Sequence, residues 1–365
     1  MRVNREAFLH CLESVQAGVT SKDVVAQASC FAVLNGDVLS YSDEVYCRAE
    51  SLLPDKFSGA VPHKPLLELL RKLNEDEIEV KQSEGELLLI GKGRRAGIRM
   101  EREVSLPFGS VETPEEWRKL HPDFADAVGI VQCAASTDTN QFHLTCLHLH
   151  PQWIEACDSF QICRWPLKTG LKEPVLVRQT AIKHVVSLGM TEFAETGSWI
   201  HFRNEAKLVM ACRRYQDEFP DITGFFEVKG TPTQLPKGLV QATENAHIFS
   251  AENPEADRVF LRLADGRLRI KGVGANGWYR ETKKISYNGP PLDFRIAPQI
   301  LVSLVKRFND CVVAKDRLKV DMGSFVYVTC LGKPEGAEQA PAPQADAARS
   351  TKSKKRKGAE EGGER

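Results

Sequence analysis

Few side chains in this chain have the type and spacing for covalent or metal chemistry. His148 and His150, one residue apart in a strand-like run, would set both imidazoles on one face, as a metal site does. No carboxylate or third histidine stands at a recognised ligand spacing, so no metal and no cofactor is expected. Cys146 beside them is the candidate thiol nucleophile, and alternation along the strand is expected to set it on the opposite face. Gly91-Lys92-Gly93 and Gly272-Val273-Gly274 lack the following helix that a phosphate-binding loop needs, and read as hairpin turns. The ten cysteines include no Cys-x-x-Cys pair. Several (Cys30, Cys133, Cys146, Cys212, Cys330) lie in apolar strand-like runs, as small hydrophobes do in a reducing cytoplasm. The expectation is a cytoplasmic protein with no catalytic residues, not an enzyme.

The elements that would position any site repeat. A helical run followed by a turn and short strands recurs at residues 65–74, 179–189 and 298–309, about 115 residues apart. Leu66, Leu69, Leu70 and Leu73 recur at helical spacing, as do Ile300, Leu301, Leu304 and Val305, so each helix can lay one face on a sheet. A related module precedes each, with helices expected at residues 5–17, 114–128 and 237–249. Strand runs follow, including 130–135 and 143–150 in the second module. Asn35-Gly36-Asp37 and Asp265-Gly266-Arg267 sit between strand runs, as hairpin turns should. The fold class is α+β, with domains at residues 1–108, 109–230 and 231–333, each a duplicated helix-plus-strands unit. Residues 334–365 shift to Gly, Pro, Ala, Glu and Lys, and are expected to form a disordered, solvated tail. Within the tail, Lys352, Lys354, Lys355, Arg356 and Lys357 form a basic cluster.

Bulk composition narrows the choice. Forty-nine basic residues balance forty-nine acidic ones, so nothing in the total charge signals nucleic acid, and 42% apolar residues suffice for packed cores. No run approaches the ~18 apolar residues of a membrane span, and no membrane partner is expected. A fixed repeat of this size favours a ring, an arc or a solenoid over a single catalytic cleft.

Local matches then point to a family. Residues 155–162 (EACDSFQI) occupy the place of an A-T-D-G-H-R-L segment, residues 215–221 (YQDEFPD) look like a D-G-x-F-P-D-Y exit, and residues 247–250 (HIFS) look like an A-I-L-S helix end. With the threefold repeat, these make residues 1–333 resemble the bacterial DNA polymerase sliding clamp, the β subunit of the replicative polymerase. The resemblance implies three tandem DNA-clamp domains in a head-to-tail homodimer, helices lining a ring and sheets outside. Its function would be that of a processivity factor in DNA replication, with duplex DNA, a DNA polymerase and a clamp loader as partners.

Sites follow from that resemblance. The DNA-facing residues would be Arg5, Arg71, Lys72, Arg118, Lys119, Lys183, Lys306 and Arg307, offering sequence-independent phosphate attraction. Arg71-Lys72 and Lys306-Arg307 would also favour a helix C-terminus through its dipole. The partner-peptide pocket between domains two and three would be walled by Leu147, Cys157, Ser159, Phe160, Ile162, Val328, Thr329 and Leu331. Here the chain departs from the family, with Ser159-Phe160-Gln161 in place of Gly-His-Arg and Thr329-Cys330-Leu331-Gly332-Lys333 in place of the C-terminal Met-Pro-Met-Arg-Leu, so an altered peptide preference is expected. The dimer interface would join Ile98 and Met100 to Ile248 and Phe249. Arg94, Arg95 and Arg99 would there approach Arg280, Lys283 and Lys284, like charges that weaken strand pairing. A clamp-fold scaffold that forms no stable ring is therefore the alternative, and a metal enzyme using His148 and His150 the third.

Overall fold

The computed structural model describes residues 1–21, 25–251 and 257–333. The tail 334–365, with its basic cluster, lies outside the described residues. One order of elements is used three times. The first pass is β1 (Arg2–Asn4), α1 (Arg5–Ser14), β2 (Cys30–Leu34), β3 (Asp37–Tyr41), β4 (Val45–Glu50), β5 (Gly59–Pro62), α2 (His63–Lys72), β6 (Glu77–Ser83), β7 (Glu86–Gly91) and β8 (Arg94–Arg99). The second is β9 (Arg118–Lys119), α3 (Phe124–Val131), β10 (Cys146–His150), β11 (Trp153–Cys157), β12 (Gln161–Pro166), β13 (Val175–Arg178), α4 (Gln179–Ile182), α5 (His184–Ser187), β14 (Glu192–Glu195), β15 (Trp199–Arg203) and β16 (Val209–Arg213). The third is β17 (Thr231–Gln234), α6 (Leu239–Ser250), β18 (Val259–Ala264), β19 (Arg267–Gly274), β20 (Gly277–Lys284), β21 (Leu292–Ile296), α7 (Pro298–Arg307), β22 (Asp310–Val313), β23 (Arg317–Asp321) and β24 (Val326–Cys330).

Local chemistry explains the elements. Asn4 caps α1, its side chain accepting from the Ala7 N–H at 2.9 Å. Asn35 and Gly36 both have positive φ (52° and 79°), as a two-residue hairpin between β2 and β3 requires. Helix α2 buries Leu66, Leu67 and Leu70, and α7 buries Leu301, Leu304 and Val305. Each such leucine contributes about 2 kcal/mol. The helices pack in pairs: α1 on α2, α3 on α5, α6 on α7. Gly272 lets β19 lie against α6, because a Cβ there would sit 1.9 Å from the Ala246 carbonyl oxygen.

The helix expected at 179–189 is broken into α4 and α5, the strand expected at 143–150 begins at Cys146 after a 3-10 turn, and two further elements differ in kind. The helix expected at 114–128 starts only at Phe124, and Arg118–Lys119 is strand β9. Pro122 is the reason: it has no N–H to donate and disfavours helical geometry at His121. The strand expected at 130–135 is the end of α3 and a 3-10 turn over Gln132–Ala134, with Val131 and Ala134 buried against the sheet. Its apolar run was too short to distinguish strand from helix.

The sheets do not stop at the repeats. β5-β2-β3-β4 continues through a β4–β16 seam into β16-β15-β14-β9, and β13-β10-β11-β12 continues through a β12–β24 seam into β24-β23-β22-β17. Two four-stranded sheets remain, β1-β6-β7-β8 and β20-β19-β18-β21. In both seams the third strand of one unit pairs antiparallel with the last strand of another. The corresponding strands of the two short sheets, β20 and β8, are edges.

Candidate functional site

The two edges are built alike. Met100 N–H donates to Gly85 O at 2.8 Å and Ile285 N–H to Gly266 O at 3.0 Å. Antiparallel alternation therefore turns the N–H groups of Arg95, Gly97 and Arg99 outward on β8, and those of Trp278, Arg280, Thr282 and Lys284 outward on β20. Ile98 and Met100, expected at this interface, have their side chains buried in the subunit's own core at 7% and 3% exposure. Ile248 stands free at 67% exposure, and Phe249 packs beside Gly277. The exposed residue that sequence reasoning missed is Trp278 (62%), with the Arg280 guanidinium over its ring. Its signal was a tryptophan just after a turn glycine. Glu281, the acidic residue among the cations of β20, is already held by Lys283 Nζ and Tyr279 Oη, both at 2.5 Å. Those bonds keep its carboxyl below the usual range.

The expected cations separate into two groups. Arg5 is largely buried and donates to Leu70 O (3.2 Å) and Glu75 O (3.0 Å), joining the start of α1 to the end of α2. Arg118 lies on a strand and not on a helix, bound to Gly170 O and Glu195 and stacked on Phe193. Lys119, on the same strand, faces Glu192 at 3.2 Å. These three positions have structural partners. Arg71 pairs with Glu13 on α1 at 2.8 Å, and Lys306 with Glu244 on α6 at 3.5 Å, the same interhelical contact made twice. Lys72, Lys183 and Arg307 are exposed on the second helices of the three repeats or at the α4–α5 break.

The expected peptide pocket lies along the β12–β24 seam, where Ile162 opposes Val328 and Gln161 opposes Thr329. Leu147, Cys157, Val328, Thr329 and Leu331 are buried; Ser159 and Phe160 are exposed. Asp158 shapes the turn by accepting from the Phe160 and Gln161 N–H groups at 2.6 Å, which turns Phe160 outward under the Arg258 guanidinium. Ile162 is half-buried because the following segment packs on it. Phe219, Ile222 and Phe226 join Leu144 and Cys157 in a small apolar cluster there.

That segment is fastened by a charged network. His148 Nδ1 lies 2.7 Å from Glu155 Oε1, and Arg164 Nε donates to Glu155 Oε2 at 2.7 Å. His148 stacks on Phe219, while Arg164 covers Phe226 and donates to Thr223 Oγ1. Burial alone would raise the Glu155 carboxyl, but the bonds and charge from His148 and Arg164 outweigh it and hold it low. The histidine pair is thus absorbed: His150 stacks face to face on Trp153 at 3.7 Å. Cys146 shares the histidines' face and not the opposite one, since residues 146, 148 and 150 alternate at the strand period. Burial pushes its thiol up to about 12, far from a nucleophile's range.

Neither protein-family models nor curated sequences match the chain. Solved structures do. The DNA polymerase III β-subunit sliding clamp of Bartonella birtlesii superposes with a TM-score of 0.77 at 14% identity, covering 91% of this chain and 99% of that one. The β subunit from Thermotoga maritima gives 0.76 at 14% identity (91% and 98%), and that from Pseudomonas aeruginosa 0.72 at 16% identity (91% and 99%). This chain has the sliding-clamp fold.

The first seam carries its own connector too, with Leu106, Phe108 and Val111 packed on Tyr46 and Ala211. Beside the β4–β16 seam, a cavity of about 570 Å³ opens between the sheet and the segment 111–117. His201 lines it, 1% exposed, and burial depresses its imidazole to about 4 although Glu112 pulls it upward. Between about pH 6.5 and 4 the unfolded chain binds a proton that folded His201 refuses. Stability should fall as pH drops through that window, by up to about 3 kcal/mol. Urea midpoints of wild type and His201→Gln at about pH 7.5 and 5 test this; parallel pH dependence in both proteins would show that His201 is not the cause.

Proposed function

We propose that the chain closes head to tail with a second copy into a cytoplasmic ring that encircles duplex DNA and holds a DNA polymerase on its template. One observation carries the reading. Two seams join third strand to last strand by one rule, and the one pair left over, β20 and β8, lies at opposite ends of the chain. A heterologous contact between these edges repeats the seam a third time, and with two copies it closes. Pairing them also covers edges that otherwise invite aggregation. The fold's likeness to structures named as sliding clamps supports the same conclusion.

Within such a ring the helices would face the bore, and Lys72, Lys183 and Arg307 would meet phosphates without reading bases. The scaffold alternative draws support from the like charges on the two edges, so closure is the point to test. Protein loaded on nicked circular DNA should be retained through gel filtration and released when the circle is linearised. Equal loss from both forms excludes a topological tether. A Lys72→Glu/Arg307→Glu variant should bind duplex more weakly, with its log–log salt slope reduced by about 1 per lost contact. An unchanged slope would remove these residues from the DNA path.

A further inference from the structure

We propose that the outer face of the sheet β20-β19-β18-β21 is a docking surface for residues 334–343 of the chain itself (PEGAEQAPAP), which follow β24. A rule that the fold uses twice argues for it. After the last strand of each repeat the chain makes one bridge to the far edge of a sheet: Glu101 to Ala60 on β5, Tyr215 to Leu176 on β13, Gly332 to Arg295 on β21. The first two connectors then cross the outer face of that sheet toward its third strand. They land on the outward cross-strand pair near the hairpin turn, Tyr41 with Tyr46 in the first repeat and Cys157 with Ile162 in the second. Phe108 packs edge-on against both tyrosines, and Ile222 packs with Cys157 and Ile162. Phe108 and Ile222 each stand seven residues past their bridge. The third pair, Val273 with Trp278, is bare at 37% and 62% exposure, where Tyr41 and Cys157 are 2% and 3% exposed. Seven residues past Gly332 the chain reads Gln339-Ala340-Pro341-Ala342-Pro343.

Face and segment match in charge and in shape. Leu261, Leu263, Leu268 and Ile270 turn into the core, so alternation turns Phe260, Arg262, Arg269, Lys271, Val273 and Trp278 outward. Arg295 lies over the Phe260 ring on the same face. Asp293, an acid of that face, is already paired with Arg262 at 2.8 Å. Residues 334–343 bring Glu335 and Glu338 and no cation, so an acidic segment meets a basic surface. An Ala-Pro-Ala-Pro run suits the extended polyproline geometry, which docks on aromatic rings at low entropic cost. Trp278 offers such a ring: the Arg280 guanidinium stands 5.6 Å from its centre, and most of the residue stays open. Three strand spacings of about 4.8 Å separate β21 from β20, and ten extended residues span about 30 Å, so the reach is ample. Tethering supplies a millimolar effective concentration, so weak contacts suffice. The docking needs one subunit and does not rest on ring closure.

The full chain carries five tryptophans, so 5-fluorotryptophan labelling gives five fluorine NMR lines, and Trp278→Phe identifies one of them. An uncharged gadolinium chelate should broaden the Trp278 line about twofold more in a chain ending at Lys333 than in the full chain. Unchanged positions of the lines from Trp117, Trp153, Trp165 and Trp199 show that both are folded. Glu335→Lys/Glu338→Lys in the full chain should expose Trp278 as the truncation does. Lys354→Glu/Lys355→Glu, beyond the docking segment, should not. Equal broadening in the full and shortened chains overturns the proposal, and so does protection that is lost only with Lys354→Glu/Lys355→Glu. Protection that fades on dilution would seat the segment on a second copy. Protection that appears only with added duplex would give the face to nucleic acid. Either result overturns docking of the segment on its own sheet.

Discussion

Arg280→Pro should leave a folded subunit that no longer self-associates. The Arg280 N–H faces the open edge of β20, so proline there takes no bond from β19 and is tolerated as edge prolines are. The same substitution removes an edge donor and puts a ring where a partner strand must lie. Losing two or three main-chain bonds and adding the steric clash costs about 3 kcal/mol per interface, and a two-subunit ring has two interfaces. Self-association should therefore weaken well over 100-fold, read by sedimentation velocity over a concentration series. Arg280→Ala keeps the N–H and removes one repelling charge, so it should associate at least as well as wild type. If the proline variant still dimerises, β20 is not the closing edge.

Charge sets a second signature on the same contact. Arg95 and Arg99 on β8 would meet Arg280 and Lys284 on β20, while Arg94 is paired with Glu75 and Lys283 with Glu281 on their own subunit. Salt screens repulsion between exposed charges as well as attraction. Self-association should strengthen as salt rises, while duplex binding by the same protein weakens. Two equilibria with opposite salt dependence separate closure from DNA contact in one titration series.

The other large effect is expected at Glu155. This carboxylate is 3% exposed and is shared by His148 and Arg164, which in turn hold Phe219, Thr223 and Phe226 over the second seam. Glu155→Ala leaves a half-buried guanidinium without its counter-ion and should cost about 3–5 kcal/mol. The segment 219–226 should loosen with it, so limited proteolysis should cut there before the sheets unfold. Glu155→Gln, which keeps the shape and one acceptor, should lose less. A urea midpoint within about 1 kcal/mol of wild type for the alanine variant would mean that apolar packing on Ile162 alone holds the segment.

The histidine pair shows where sequence spacing stops. His148-x-His150 was legible as two imidazoles on one face, yet the group that occupies His148 is Glu155, seven residues away and directly across the hairpin. Spacing along a strand fixes which residues share a face; it does not specify what the neighbouring strand sets opposite. Arg5 and Arg118 show the same limit for charge. Both read as exposed helix cations, and both are consumed by carbonyls and carboxylates that sequence distance conceals. Pro122 was the one missed boundary that the sequence did contain.

Sequence alone determined the threefold order of helices and strands, because apolar period and turn chemistry are local properties written into each segment. No motif spacing in it pointed to nucleotide or metal chemistry. Tertiary structure decided how the units join: which strand crosses each seam, which two edges remain, and which connector lies over each seam. Those outcomes depend on contacts between residues more than a hundred positions apart, such as Arg48 with Val209 and Arg164 with Val326, and no local pattern encodes the partner of an edge.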